Sequence, residues 1–247
     1  MDCLELMKDI PDKSIDAIIT DLPYGVLNKS RKHAQKCDEL IPLEDLWKNY
    51  SRIIKDNGAI ILFASGMFTA DLMKSNEIMW RYNLVWKKGE RVTGFLNAKK
   101  MPLRNHEDIC VFYKKLPTYN PQMEKCEPHK RNHSRGNLQS QIKQNHYGNF
   151  VEVPSIISDE KYPKSVINVQ PEHKECYHPS QKPVALIEYL IKTYTNPGDL
   201  VLDSCAGSMT LAVAAMNTGR NYICIEKDPE IFEIGKKRVE DHKKIIC

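Results

Sequence analysis

The chain has 247 residues, of which 41% are hydrophobic and 28% charged, with a formal net charge of +4. That length suits one α/β core carrying an insertion rather than two domains of ordinary size, and no window approaches the roughly 18 continuous apolar residues that would span a bilayer. Its eight cysteines form no Cys-x-x-Cys pair and the N-terminal "MDCLELMKDIPDKS" lacks the basic-then-apolar layout of a secretory signal, so a cytoplasmic protein with reduced thiols and no membrane partner is expected.

In chain order, "SIDAIIT" (Ser14 to Thr20) predicts a buried parallel strand, because apolar residues fall on both faces. "PLEDLWKNYSRIIKDNG" follows as a helix, with Leu43, Leu46, Trp47, Tyr50, Ile53 and Ile54 on one stripe and a stop at Asn57-Gly58. "GAIILFA" (Gly58 to Ala64) completes a βαβ unit, and "RYNLVWK" and "EDICVFYKK" predict two more strands. From about Leu116 to Gln170 the periodicity fades into Asn, Gln, His, Lys, Arg and Pro. Order returns in "QKPVALIEYLIKTYTNPGD", where Val184, Leu186, Ile187, Leu190 and Ile191 make a helical stripe ending at Asn196-Pro197-Gly198. "LVLDSCAGSMTLAVAAMNTG" is then a strand, a small-residue turn and an apolar helix. "NYICIEKDPEIFEIGKKRV" closes the chain as a strand to Glu226, Asp228 as N-cap, Pro229 at the first helical position and a last helix. The alternation predicts an α/β protein with a Rossmann-like, doubly wound, mostly parallel sheet and an inserted polar region.

The turn "DSCAGSMT" holds only small residues from Ser204 to Ser208, so a ligand can lie against the main chain and a helix N-terminus. Glu226 follows Asp203 at about the interval where a carboxylate reaches ribose hydroxyls in this architecture. Neither a G-x-G-x-x-G fingerprint nor a G-x-x-x-x-G-K-[ST] loop is present, which argues against NAD, FAD and P-loop chemistry. At the carboxyl end of the first strand stands "DLPYG", Asp21 to Gly25. Asp21 and a backbone carbonyl beside Pro23 offer acceptors side by side, the proline stiffens the chain, and Tyr24 offers a flat face. The set suits a planar heterocycle with an exocyclic amine; a plain Pro-Tyr-Gly turn is the structural alternative. In the polar middle, Lys125 to Tyr147 contains five basic residues and one acid, an excess as large as the whole net charge. Lys130, Arg131, Arg135 and Lys143 are therefore candidates for contact with nucleic acid, against the reading of a solvated loop. Cys126, His129 and His133 have spacings compatible with zinc, but histidines among lysines suit a DNA-facing loop as well, and no metal is expected.

Three segments together resemble the amino-methylating DNA methyltransferases that use S-adenosylmethionine. "DLPYG" is similar to their Asp-Pro-Pro-Tyr motif, "HPSQKPVALIEYLI" to their His-Pro-x-Gln-Lys-Pro segment, and "VLDSCAGSMT" to their Asp-x-x-x-Gly-Ser-Gly-Thr loop. Their order matches the permuted beta arrangement of that family. The resemblance implies a class I methyltransferase fold with a catalytic half over 1–115, a variable DNA-recognition insertion over 116–170 and a cofactor half over 171–247. It implies Asp21, Pro23 and Tyr24 as catalytic residues, and Asp21, Asp203, Ala206, Gly207, Ser208, Glu226, Gln181 and Lys182 around S-adenosylmethionine. "MDCLELM" is similar to the family strand whose Asp lies near the cofactor adenine, which would add Asp2. The implied reaction is methyl transfer to the N6 amine of a flipped adenine in double-stranded DNA. N4-cytosine or RNA modification, and a catalytically silent nucleic-acid binder, are the alternatives. A homodimer and a cognate restriction endonuclease are the partners such a chain would have. Leu22 and Met209 depart from the motifs, and methionine would strain the loop if that position has positive φ.

Overall fold

Ile15, Ala17, Ile18, Ile19 and Thr20 are all at most 1% exposed, so the first strand is buried on both faces and lies inside a sheet rather than at its edge. The computed structural model describes residues 2–25, 38–131, 156–171 and 181–246. They fall into two units, Met1–Asn120 with Ser165–Cys247, and Pro121–Lys164. The strands are β1 (Ile15–Asp21), β2 (Ile54–Ala64), β3 (Trp80–Lys87), β4 (His106–Phe112), β5 (Glu124–Arg131), β6 (Ile156–Lys161), β7 (Val166–Asn168), β8 (Leu200–Asp203) and β9 (Asn221–Cys224). The helices are α1 (Cys3–Leu6), α2 (Leu43–Ile53), α3 (Met67–Ser75), α4 (Val184–Tyr194), α5 (Thr210–Asn217) and α6 (Pro229–Ile246).

In the larger unit seven strands form one sheet in the order β7-β3-β4-β2-β1-β8-β9. The pairs β1–β2, β1–β8, β8–β9 and β3–β7 are parallel, and β4 runs antiparallel to both its neighbours. The chain leaves β1 toward β2 on one side, yet β8 returns to its other side, so strand order reverses between β1 and β8. Such a reversal opens a crevice at the carboxyl ends of the strands. One face of the sheet packs Ile18, Ile60 and Leu62 with Leu46, Tyr50 and Ile53 of α2. The other packs Ile19, Ile61 and Ile109 with Leu186 and Leu190 of α4 and Leu211 of α5. Each such aliphatic side chain, fully buried, contributes about 1.5–3 kcal/mol relative to exposure. In the smaller unit β5 and β6 pair antiparallel.

The expected mostly parallel sheet is thus present, with local differences. "MDCLELM" is not a strand: Asp2 Oδ1 accepts from Leu4 N at 2.9 Å and caps the short helix α1, which buries Cys3. Helix α2 stops at Ile53 instead of Asn57, because Ile54 turns to extended backbone and pairs with Ile15. Gly58 then passes so close to β1 that a Cβ there would lie 2.7 Å from the Asp16 carbonyl oxygen, a contact that only glycine avoids. Helix α3 occupies a stretch with no sequence expectation. Within the polar span 116–170, β7 belongs to the main sheet and β5 and β6 to the smaller unit.

The loop after β8 has the left-handed conformation on which the expected strain depends: Met209 sits at φ 60, ψ 34. A non-glycine residue there costs about 1–2 kcal/mol. The offset is packing, since Met209 is only 4% exposed and lies on Ala206 and Ala212. Room for it comes from α6, where a Cβ on Gly235 would collide with Met209 Cγ. Gly235→Ala is therefore expected to lower stability by about 1–3 kcal/mol through overpacking. In a Met209→Gly background most of that penalty should vanish, and denaturant titration of the double-mutant cycle measures it. Additive losses would mean the two positions are not coupled.

Candidate active site

Asp21 ends β1, and its carboxylate is held from two sides. Oδ2 accepts from Lys182 Nζ at 2.5 Å and Oδ1 from the Tyr24 hydroxyl at 2.7 Å. Lys182 comes from the segment just before α4 and is 9% exposed. Its Nζ also lies 3.3 Å from Glu107 Oε2 and 5.0 Å from the centroid of the Phe63 ring. Glu107, one residue into β4, also pairs with Lys88. Among the described residues Glu107 Oε2 is the one buried side-chain polar atom without a hydrogen bond. Burial works against the Lys182 ammonium, yet Asp21 and Glu107 outweigh it and raise its pKa. Burial likewise works against Glu107, and Lys182 and Lys88 reverse the sign and hold its carboxyl below the usual range. The result is a chain of alternating charges, Asp21, Lys182, Glu107, Lys88, across the strand ends.

Tyr24 is fixed at both ends. Its ring packs on Phe68 with centroids 5.2 Å apart, and its backbone N–H and that of Gly25 donate to Asp38 Oδ1 at 3.0 and 2.9 Å. Burial and then the Asp21 charge push its phenol well up, so it stays a donor to Asp21.

On the other side of the strand reversal the β8 turn forms the second wall. Gly207 N donates to Glu226 Oε2 at 2.8 Å, and Asp228 N to Glu226 Oε1 at 2.9 Å. The Asp228 side chain caps α6 through Glu230 N and Ile231 N, as its sequence position predicts. Ser208 Oγ donates to Gln181 Oε1 at 2.9 Å, and buried Arg238 holds the Ser208 carbonyl and Thr210 Oγ1, both at 3.0 Å. Asp203 accepts from Cys205 N at 3.0 Å. Burial raises the Asp203 pKa to about 7, despite the opposing hydrogen bonds from Cys205 N and Thr20. Beneath the turn, Tyr50 and Ser204 share a buried hydroxyl hydrogen bond of 2.6 Å.

A cavity of about 1050 Å³ joins the two walls. Asp21, Pro23 and Tyr24 line it, with Gln181 and Lys182, and so do Asp203, Ala206, Gly207, Ser208 and Glu226. Asp2 lines it too, with Oδ2 3.4 Å from Lys227 Nζ. Of the basic residues of the polar middle, Lys130 and Arg131 are on β5 of the smaller unit, while Arg135 and Lys143 lie outside the described residues, as do His133 and His178. Cys126 and His129 are also on β5. Glu107, Lys88, Asp38 and Arg238 were not anticipated from sequence. The signal for Glu107 was a pair of acids, Glu107 and Asp108, at the start of an otherwise apolar strand, "EDICVF".

The profile of the family described as DNA methylase matches residues 15–237. The Type II methyltransferase M.HinfI of Haemophilus influenzae is 24% identical over 271 residues, covering 98% of this chain and 67% of that one. The DNA adenine methyltransferase YhdJ of Escherichia coli is 29% identical over 253 residues, covering 97% and 81%. Among solved structures, the M1.HpyAVI–SAM complex superposes with a TM-score of 0.60 at 24% identity, covering 96% of each chain. The cytosine-N4-specific PvuII DNA methyltransferase does so with 0.64 at 16% identity, covering 98% and 89%. These likenesses show that the methyltransferase fold expected from the sequence is the fold present.

Two outcomes test this geometry. Lys182→Met leaves two carboxylates facing one ammonium and is expected to cost about 3–5 kcal/mol in denaturant titration. Adding Glu107→Gln should recover part of that loss, and a further additive loss would contradict the coupling. For Asp203 the folded pKa lies above the unfolded one, so its stabilisation is complete below the unfolded value and is lost as pH rises through about 7. The stability of the parent relative to Asp203→Asn should therefore fall by on the order of 2–3 kcal/mol between about pH 5 and pH 8. A flat or rising difference would remove the assignment.

Proposed function

This chain belongs to the N6/N4 DNA methylase family, and we propose that it methylates the exocyclic N6 amine of an adenine swung out of double-stranded DNA, using S-adenosylmethionine. One observation carries the reading. The acceptor and aromatic ring suited to an amino-bearing base, Asp21 and Tyr24, line the same cavity as the Asp203 to Glu226 wall suited to a nucleoside.

The wall fits that cofactor chemically. A Cβ on Gly207 would meet nothing within 4 Å, so a ligand can approach the main chain there. Glu226, its carboxylate already oriented by two backbone amides, would accept from ribose hydroxyls. Asp203 and Asp21 would face the ammonium group of the cofactor's amino-acid end, and that cation beside Asp203 would favour the ionised form that burial disfavours. Gln181 and Ser208 would close the lower edge. When bound, S-adenosylmethionine supplies a methyl group made electrophilic by a positively charged sulfur.

The chain's own residues handle the amine. An aromatic amine is a poor nucleophile because its lone pair is delocalised into the ring. Each oxygen of Asp21 already accepts one bond and retains a further lone pair. An N–H of the base donating there, with the second N–H at the backbone beside Pro23, draws nitrogen toward pyramidal geometry and aims its lone pair. Lys182 and the Tyr24 hydroxyl keep the carboxylate from turning away. Swinging the base out costs a few kcal/mol. Stacking on Tyr24 offsets about 1–3 kcal/mol of that. An acid at position 21 resembles the adenine-modifying members of the family, and the relative YhdJ is named a DNA adenine methyltransferase, which supports adenine over cytosine. The Pro121–Lys164 unit, with Lys130 and Arg131 on β5, is the proposed recognition region and would contact phosphates first.

Asp21→Ala should slow transfer of label from S-adenosylmethionine to unmethylated DNA by about 10²–10³-fold or more. Cofactor affinity should stay within about one order of magnitude. A variant as fast as the parent removes the role of Asp21. Mass spectrometry of the digested product DNA should show N6-methyladenine; N4-methylcytosine would overturn the base assignment.

A further inference from the structure

The connection from β3 to β4, residues 88–105, carries an apolar tip on a basic stem. Leu96 is 100% exposed, Phe95 69% and Met101 55%. The same stretch has Lys88, Arg91, Lys99, Lys100 and Arg104 against a single acid, Glu90. A lone exposed leucine needs no explanation, but adjacent exposed Phe and Leu on one short, positively charged loop mark a contact surface.

The loop is also held in place. Thr93 and Arg104 exchange backbone hydrogen bonds of 2.8 and 3.1 Å, and Lys88 N donates to the Asn105 carbonyl at 2.8 Å. Gly94, at φ 94, turns the chain into the single 3-10 turn Phe95–Asn97 that forms the tip. Arg104 Nη1 donates to Ser65 Oγ at 2.7 Å, tying the stem to the residue after β2. Lys88, Arg91, Val92 and Thr93 line the cavity that holds Asp21, so the stem begins at the proposed mouth for the base.

We propose that this loop is a duplex wedge: Phe95 and Leu96 enter the base stack beside the extruded nucleotide, while Arg91, Lys99 and Lys100 hold the neighbouring phosphates. The wedge rests on the reading that duplex DNA is the substrate. Its physical basis is that extrusion leaves a gap in the stack, and apolar side chains between base steps offset the lost stacking. The basic stem fits a polyphosphate partner better than a second copy of a chain that is itself net positive.

The test uses the full chain with Phe95→Ala/Leu96→Ala, two exposed side chains whose removal leaves the core intact. Unmethylated plasmid DNA is methylated and sequenced to find a modified site, and duplexes containing that site are made with the target base either paired or mismatched. On the paired duplex kcat/KM should fall by about tenfold or more, and on the mismatched duplex by less than about threefold, because the mismatch has already removed much of the unstacking cost. Equal losses on both duplexes, or none on the paired one, overturn the wedge. So does a change in oligomeric state by light scattering that accounts for the slower reaction. A parent inactive on both duplexes sinks the underlying DNA reading, and the wedge with it. In the same assay Lys99→Gln/Lys100→Gln should lower the salt dependence of DNA binding by about one unit of slope for each phosphate no longer neutralised, and an unchanged slope removes these lysines from the phosphate grip.

Discussion

The ammonium of Lys182, 9% exposed and set between Asp21 and Glu107, is the constraint on which the site depends. Burying an ammonium between two partly exposed carboxylates costs up to several kcal/mol, and mutual attraction recovers this only when the geometry is close. The geometry here is close because three separate pieces of chain are fixed against one another: the end of β1, the start of β4 and the segment before α4. Apolar residues of similar volume in place of the whole charged cluster, as opposed to the loss of Lys182 alone, would serve stability as well or better. What they would not do is hold a carboxylate toward the cavity with lone pairs to spare.

The second wall has a different basis. The turn from Asp203 to Thr210 must be small to admit a ligand, and it must start a helix immediately. Both demands drive it into left-handed backbone at Gly207 and again at Met209. The cost at Met209 is met by packing on Ala206 and Ala212 and by the absence of a side chain at Gly235. Arg238 of the same helix then ties down the Ser208 carbonyl. Helix α6, whose own cap at Asp228 is next to Glu226, thus supports the loop it follows.

The two walls meet because of topology. The acid at the end of β1 and the turn after β8 are far apart in the chain, yet β1 and β8 are neighbours, with Ala17 opposite Val201 and Ile18 opposite Leu202. Parallel neighbours bring both carboxyl ends to one edge of the sheet, where the reversal of strand order leaves a crevice. The order of the motifs along the chain therefore makes no difference to the finished site, and the same fold is found in a cytosine-N4-specific DNA methyltransferase.

The sequence alone determined what depends on local pattern. Runs such as "IDAIIT" and "AIILF" could only be strands buried on both faces. The Asp228-Pro229 start of the last helix follows from capping chemistry, and the placement of Asp21 from a carboxylate standing at the end of β1, while Glu226, expected at the end of its strand, lies two residues past the end of β9 at Cys224. Other features came from contacts distant in sequence. The Lys182–Asp21 pair spans 161 residues, and Glu107 joins it only because β4 runs antiparallel to β2 and brings its first residues to the same edge. The end of α2 at Ile53 was likewise set by pairing of Ile54 with Ile15. Periodicity reports which face of an element is apolar, but register and strand order decide which charges meet, and those are fixed only when the whole sheet closes.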